Sequence, residues 1–156
     1  MAGDNCSMCE TDWDDPRVEE QWCCERRQDV SEYLVKEGVK HGEIGLWPAW
    51  HIVPYVSIWA VESLKAPGQV GWWAISGDLP TDYISASTAD HPRKALLAFA
   101  DAWKEVASHM LMGVPHPDTS FGPPERNPEF ASLLEKRSEI LRRFSKDDSI
   151  WHSADG

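Results

Sequence analysis

The sequence contains no run of apolar residues long enough to cross a lipid bilayer, and it begins with no recognisable signal peptide. A signal peptide needs a basic start followed by an apolar stretch, whereas the first residues here are acidic and include cysteine. We therefore expect a cytoplasmic protein that does not bind or cross a membrane.

Positive charge is also scarce, with 15 Lys and Arg residues against 26 Asp and Glu residues and a formal net charge of −11. An acidic surface repels phosphate backbones, which argues against nucleic-acid binding. Ten acids and only three arginines lie within residues 1–33. Such a field attracts a basic protein partner by electrostatic steering, although an excess of negative charge often does no more than maintain solubility.

Cysteine is also scarce, with four residues in the chain. Cys6 and Cys9 have the Cys-x-x-Cys spacing of zinc sites. Cys23 and Cys24 are adjacent on a predicted helix, where their sulfurs point about 100° apart. All four could bind one ion only with distortion, so they are weak candidates for a zinc site that would stabilise the tail. Packing of Cys23 or Cys24 in the core is the simpler interpretation, and we predict no cofactor.

The chain of 156 residues is long enough to form one domain with a substantial core. The segment of residues 1–13 is short, polar and without hydrophobic periodicity. We predict a flexible acidic tail over residues 1–13, a single globular domain over residues 14–151 and a short tail over residues 152–156.

Apolar spacing and capping residues predict three helices. The first has Asp14 or Asp15 as its cap and Pro16 at its first position, and it stops at Gly38. The second follows Pro92 and carries one continuous apolar stripe that ends before Gly113. The last opens at Pro128, after a connection rich in proline and glycine.

The centre of the chain, residues 46–85, holds five of the nine tryptophans. Residues 55–64 and 70–77 are rich in β-branched and aromatic side chains, which favour strands. Pro67 and Gly68 between them suit the middle of a type II turn. These segments predict a β-hairpin. A helix over residues 54–65 is the alternative, but it leaves the β-branched residues unexplained.

With Pro67 and Gly68 at its tip, the hairpin would pair Trp59 with Ser76. Alternation of side chains then produces two faces. The apolar face consists of Val56, Ile58, Ala60, Leu64, Trp73 and Ile75. The other face combines aromatic rings with hydroxyls: Tyr55, Ser57, Trp59, Val61, Ser63, Trp72, Ala74, Ser76 and Asp78. This mixed face suits a binding surface, although helices could also cover it and make it core.

The remaining segments complete the predicted fold. Residues 47–54, with prolines at positions 48 and 54, are expected to be extended. Residues 77–82 have the composition of a turn, and residues 83–85 can add a short third strand. The order of a helix, a small antiparallel sheet built on a hairpin and two C-terminal helices predicts an α+β fold.

Three runs of the sequence point to a family: WPAWHIVPYVSIWAVES, then GWWAISGDLPTDYIS, then HPRKALLAFADAW. They resemble a family of small bacterial proteins that is defined only by a domain of unknown function. The likeness covers residues 19–151 and leaves out the N-terminal tail with its two cysteines. It implies a bacterial, cytoplasmic domain and supplies no activity, cofactor or catalytic residue.

Two functions of different classes fit these features. The first is a cytoplasmic interaction module, in the manner of an inhibitor or immunity protein, that binds a basic protein through an aromatic surface. The second is a small-molecule-binding protein or enzyme in which Asp78 or Asp82 would hold His51 as a general base. No nucleophile elbow, phosphate loop or His-Glu-x-x-His motif occurs, which favours the first. The predicted surface comprises Trp50, His51, Tyr55, Trp59, Trp72, Asp78, Asp82 and Tyr83.

Overall fold

The computed structural model describes residues 12–112 and 128–155. Cys6, Cys9 and the connection over residues 114–127 lie outside these ranges. The elements in chain order are α1 (Pro16–Lys36), β1 (Trp50–Ile52), β2 (Val56–Glu62), β3 (Val70–Gly77), β4 (Leu79–Ser85), α2 (Pro92–Met112), α3 (Pro128–Lys146) and α4 (Asp148–Asp155). This order confirms the α+β prediction. The chain contains two compact units, residues 1–83 and 84–156, and the single domain over residues 14–151 stays a prediction.

Helix α1 begins and ends where the sequence predicts. The side chain of Asp15 caps it by accepting a hydrogen bond from the backbone N–H of Arg17, and Pro16 occupies its first turn. Gly38 follows the helix with φ of 71°, the left-handed conformation that terminates many helices. The buried face of α1 consists of Trp22, Cys23, Val30 and Leu34.

The four strands form one sheet in the order β1-β2-β3-β4, in which β2 is antiparallel to both β1 and β3. The hairpin is confirmed, and the alternative helix over residues 54–65 is wrong. The predicted register is also wrong, because Trp59 lies opposite Ala74 and Ser57 lies opposite Ser76. The error is two residues, so the side chains from Val56 to Val61 keep their predicted faces. Leu64, predicted on the apolar face, is instead exposed in the turn.

The turn of the hairpin explains the difference in register. Pro67 and Gly68 do form its tip, since Gln69 N–H donates to the carbonyl of Ala66 and Gly68 has φ of 85°. The pairing next to the tip, however, joins Ser63 N–H to the carbonyl of Gln69. The loop is therefore longer on the β2 side, and a bulge between Val61 and Glu62 follows.

The carboxylate of Glu62 stabilises this end of the hairpin. It accepts hydrogen bonds from the backbone N–H groups of Glu43, at 3.0 Å, and Gly68, at 2.8 Å. These two bonds lower the pKa of Glu62 below its ordinary value, the bond from Glu43 having the larger effect.

We expect the Glu62→Gln variant to be less stable than the wild type at neutral pH. A lowered pKa in the folded state means that the carboxylate contributes stability above the unfolded-state pKa and loses it as the pH falls through the folded-state value. The difference in free energy of unfolding, measured by urea denaturation at several pH values, should shrink towards zero in acid. A difference that does not change with pH would show that the charge of Glu62 is irrelevant.

Strand β4 is longer than predicted. Residues 79–82 were expected in a turn, but the strand already begins at Leu79. Proline has no N–H to donate, so a strand usually excludes it from central positions. Because β4 is at an edge of the sheet, Pro80 is tolerated there.

The core of the first unit lies between α1 and the sheet. Trp59, Val61 and Ala74 pack there against the buried face of α1, together with Ile44. The opposite face of the hairpin is also buried at Val56, Ile58, Trp73 and Ile75. Both faces of the hairpin therefore contribute to the interior.

The second unit is helical. Helix α2 packs against α3, and the buried residues of the pair include Leu96, Phe99, Trp103, Ala131, Leu134 and Leu141. Helix α4 was not predicted. Its Trp151 is buried and donates its indole N–H to the carbonyl of Phe144, while the guanidinium of Arg93 lies 5.8 Å from the ring. Within the described ranges, no helix has the length and apolar character needed to cross a membrane.

Candidate functional site

Trp59, expected on the binding surface, is completely buried beneath α1. Its indole N–H donates to the hydroxyl of Ser57 at 2.8 Å, and that hydroxyl donates to the carbonyl of Ser76 at 2.7 Å. The polar groups around Trp59 therefore satisfy one another inside the fold. A partner cannot reach this ring while the fold is intact.

A second set of polar contacts attaches α1 to the same face of the sheet. Asp29 accepts hydrogen bonds from the hydroxyl of Ser76, at 3.0 Å, and from the guanidinium of Arg26, at 2.8 Å. The guanidinium also lies 5.6 Å from the centre of the Trp22 ring, within the range of a cation–π interaction. The bond between Ser76 and Asp29 joins the hairpin to α1, and Arg26, which lies on α1 itself, orients the Asp29 carboxylate.

His51 is the predicted residue with the most specific geometry. Its Nε2 lies 2.7 Å from Oε2 of Glu19 in the first turn of α1. A carboxylate can only accept, so Nε2 carries the proton. The ring stacks on Trp22, with centroids 6.4 Å apart, and meets Trp47 edge to face at 5.4 Å. The imidazole is therefore held in a single orientation.

The other ring nitrogen of His51 is open. Within residues 12–112 and 128–155, Nδ1 has no hydrogen-bond partner. No unpartnered polar side-chain atom is buried in these ranges, so Nδ1 reaches solvent. In the neutral imidazole with its proton on Nε2, Nδ1 presents a lone pair that can accept a hydrogen bond or a proton.

The predicted aspartates do not hold His51. Asp82 instead accepts a hydrogen bond from the backbone N–H of Tyr83, and the Tyr83 ring lies edge to face with Tyr33. Burial raises the pKa of both phenols, so they stay protonated as donors. Asp78 is exposed.

The remaining aromatic residues of the predicted surface differ in exposure. Trp50 is buried, Trp72 is partly buried against the core of the first unit, and Tyr55 is exposed. The structure thus distributes the predicted set between core and surface.

Sequence reasoning missed three residues of this site: Glu19, Trp22 and Trp47. The acid at position 19 is already explained by the favourable interaction of negative charge with a helix N-terminus. The sequence therefore gave no reason to pair it with a histidine 32 residues away. Trp22 fits the apolar spacing of α1. Trp47 is four residues before His51, and this proximity was the only available signal.

The two described cysteines differ in environment. Cys23 is buried, and burial, followed by the charges of Glu19 and Cys24, raises the pKa of its thiol to about 11. A thiol with so high a pKa is protonated at neutral pH and is a poor metal ligand. Cys24 is exposed. The described ranges contain no group of three or more His, Cys, Asp or Glu residues placed to bind a metal, while Cys6 and Cys9 lie outside them.

An exposed apolar patch lies next to this site. Leu46 is 85% exposed and Trp47 is 49% exposed. The preceding residues are attached to α1, because Arg27 donates to the carbonyls of Ile44 and Gly45, both at 2.9 Å. We call Leu46 and Trp47 the loop patch.

The outward face of α1 is acidic. Glu25 and Glu32 are exposed, and each accepts a hydrogen bond from a glutamine one turn earlier, Gln21 and Gln28. A neutral amide satisfies a carboxylate oxygen without cancelling its charge. This face therefore presents negative charge to solvent.

A family model described as Domain of unknown function (DUF4826) matches residues 17–151. The chain belongs to this family. The DUF4826 match begins in α1 and ends in α4, which confirms the resemblance predicted from the sequence runs. It contains the loop patch, Glu19 and His51. No curated protein and no solved structure matches the chain.

Proposed function

We propose that the chain is a cytoplasmic, non-enzymatic interaction module that binds a basic protein through the loop patch and the acidic face of α1. The observation that supports this most is the position of an exposed indole and an exposed leucine beside a helix whose outward carboxylates are not neutralised. Exposed apolar side chains surrounded by charge often mark protein-binding surfaces.

The distribution of charge supports the choice of a basic partner. The first 83 residues hold 15 of the 26 acids but only six of the 15 lysines and arginines. The unit that carries the loop patch is therefore the more acidic of the two. Its field would orient a basic protein towards this unit and raise the association rate at low salt.

Trp47 is the natural anchor of such an interface. Tryptophan is enriched among the residues that dominate binding energy, because a large ring can be desolvated with little loss of conformational entropy. Trp47 already has one edge-to-face contact with His51, which restricts its orientation. The exposed part of the ring is then available to a partner.

One observation favours the second candidate, a small-molecule site or enzyme. Glu19 orients His51 and leaves Nδ1 open, which is the arrangement of a general base held by a carboxylate. In this candidate Trp47 would line the ligand site. This second candidate would be favoured if no protein binds to the chain but small molecules shift the NMR signals of His51.

We expect the purified chain to capture a basic protein from a lysate of its native host at low salt. Capture, identified by mass spectrometry, should fall markedly as salt is raised, because exposed charges are screened. The Trp47→Ala variant should lose about tenfold in affinity, as expected for an anchor residue. The double variant Glu25→Gln, Glu32→Gln should mainly slow association.

The matched control is Leu64→Ala, since Leu64 is also exposed but lies in the hairpin turn outside the proposed surface. It should bind like the wild type. The proposal fails if no basic protein is retained, or if Trp47→Ala and Leu64→Ala retain the same protein equally well.

A further inference from the structure

We infer that the basic partner places an arginine side chain at the corner formed by Glu19, His51 and Trp47, which we call the arginine corner. This inference rests on the proposed function and names the chemistry of its central contact. A guanidinium would lie on the exposed part of the Trp47 ring. It would donate to the free oxygen of Glu19.

The corner offers a negatively charged hydrogen-bond acceptor. Glu19 is 35% exposed, and within the described ranges only its Oε2 is engaged, with His51. Its second oxygen therefore remains available. The corner thus requires a ligand that donates rather than accepts.

The indole favours arginine over lysine. A guanidinium is planar, stacks on aromatic rings and presents several N–H donors in fixed directions, whereas an ammonium is a strongly hydrated point charge. Trp47 supplies the ring, and the carboxylate of Glu19 supplies the negative charge. A guanidinium can stack on the ring and donate to the carboxylate at the same time, which the single head of a lysine cannot do.

Within residues 12–112 and 128–155, an arginine is combined with an indole and a carboxylate at two positions. Arg26 lies over Trp22 and donates to Asp29, at 5.6 Å and 2.8 Å respectively. In the second unit, Arg93 lies over Trp151 at 5.8 Å and pairs with Asp148. The corner provides the same indole and carboxylate.

No arginine of the described ranges occupies the corner. The ring contact of Trp47 there is with His51, and the two cation–π contacts involve other rings. An arginine from a partner would complete the arrangement that the chain builds internally at the other two positions.

The test uses the full chain and two small probes, N-acetyl-arginine amide and N-acetyl-lysine amide, titrated while NMR follows the side-chain signals of Trp47 and His51. The arginine probe should shift both sets of signals in a saturable manner. The lysine probe should bind at least about fivefold more weakly, because it cannot stack.

Two variants test whether the arginine probe binds at the arginine corner. Trp47→Ala should abolish the preference for arginine, and Glu19→Gln should weaken binding of the arginine probe by about tenfold or more. Glu37→Gln, which removes an exposed carboxylate just after the same helix and outside the corner, should leave it unchanged. Trp47→Ala alters an exposed loop residue, so it remains informative if Glu19→Gln disturbs the fold.

Equal binding of the two probes, or shifts confined to residues away from the corner, would overturn the inference. Its failure can be distinguished from failure of the proposed function. Capture of a basic protein without any arginine preference would reject the corner alone. Saturable arginine binding without any captured protein would reject the protein-binding function and retain the corner as a site for a small guanidinium ligand.

Discussion

The Trp59→Ala variant is expected to lose about 3–5 kcal/mol of its free energy of unfolding, which is enough to unfold many small domains. Trp59 is completely buried between the hairpin and α1. Removing the ring leaves a large cavity and deprives the Ser57 hydroxyl of its donor. Urea denaturation followed by circular dichroism measures the loss.

Trp47→Ala is the matched control, since it removes the same ring from an exposed position. Its effect on stability should stay below about 1 kcal/mol. The pair also separates folding from recognition. Trp59→Ala should lose its structure and therefore its ability to bind, whereas Trp47→Ala should fold and lose affinity for the partner. If Trp59→Ala were as stable as the wild type, the packing of α1 on this face would be wrong.

The Gly77→Ala variant has the second large expected effect, a loss of about 2–4 kcal/mol. Gly77 ends β3 with φ of 153°, a conformation that side chains other than glycine rarely adopt. A Cβ atom there would clash with the carbonyl oxygen of Tyr55 and lie 2.9 Å from the Cα atom of Val56. Both contacts are backbone atoms, so the strands would have to separate.

Gly68→Ala provides the comparison for Gly77→Ala. Gly68 also has a positive φ, 85°, but a Cβ atom there would meet no atom within 4 Å. Only the conformational strain remains, about 1–2 kcal/mol. Thermal unfolding of the two variants should therefore give a clearly lower midpoint for Gly77→Ala. Equal midpoints would mean that β2 and β3 do not approach each other as closely as described.

Local patterns predicted the elements well where the governing interactions are close in sequence. The cap at Asp15, the start at Pro16 and the stop at Gly38 depend on hydrogen bonds and dihedral angles within one helical turn. The faces of the hairpin were also correct as far as the bulge, because alternation survives a shift of two residues. The register of the hairpin was predicted wrongly, since the bulge between Val61 and Glu62 corresponds to no recognisable pattern in the sequence.

In the candidate site, by contrast, the interactions that matter join residues that are distant in the sequence. His51 attracts attention in the sequence, but its carboxylate is Glu19, 32 residues earlier, rather than the nearby Asp78 or Asp82. The partner was decided by the packing of α1 across the sheet. The same packing buried Trp59 and left Trp47 exposed. Residue type alone does not distinguish two tryptophans of one aromatic segment.

By itself, the sequence determined the α+β class, the starts of α1, α2 and α3, the hairpin and the excess of negative charge, because each depends on neighbouring residues or on composition. Only the tertiary structure decided which aromatic ring faces solvent and which acid pairs with the histidine. Those outcomes depend on how α1 lies on the sheet, and that placement results from many long-range contacts acting together.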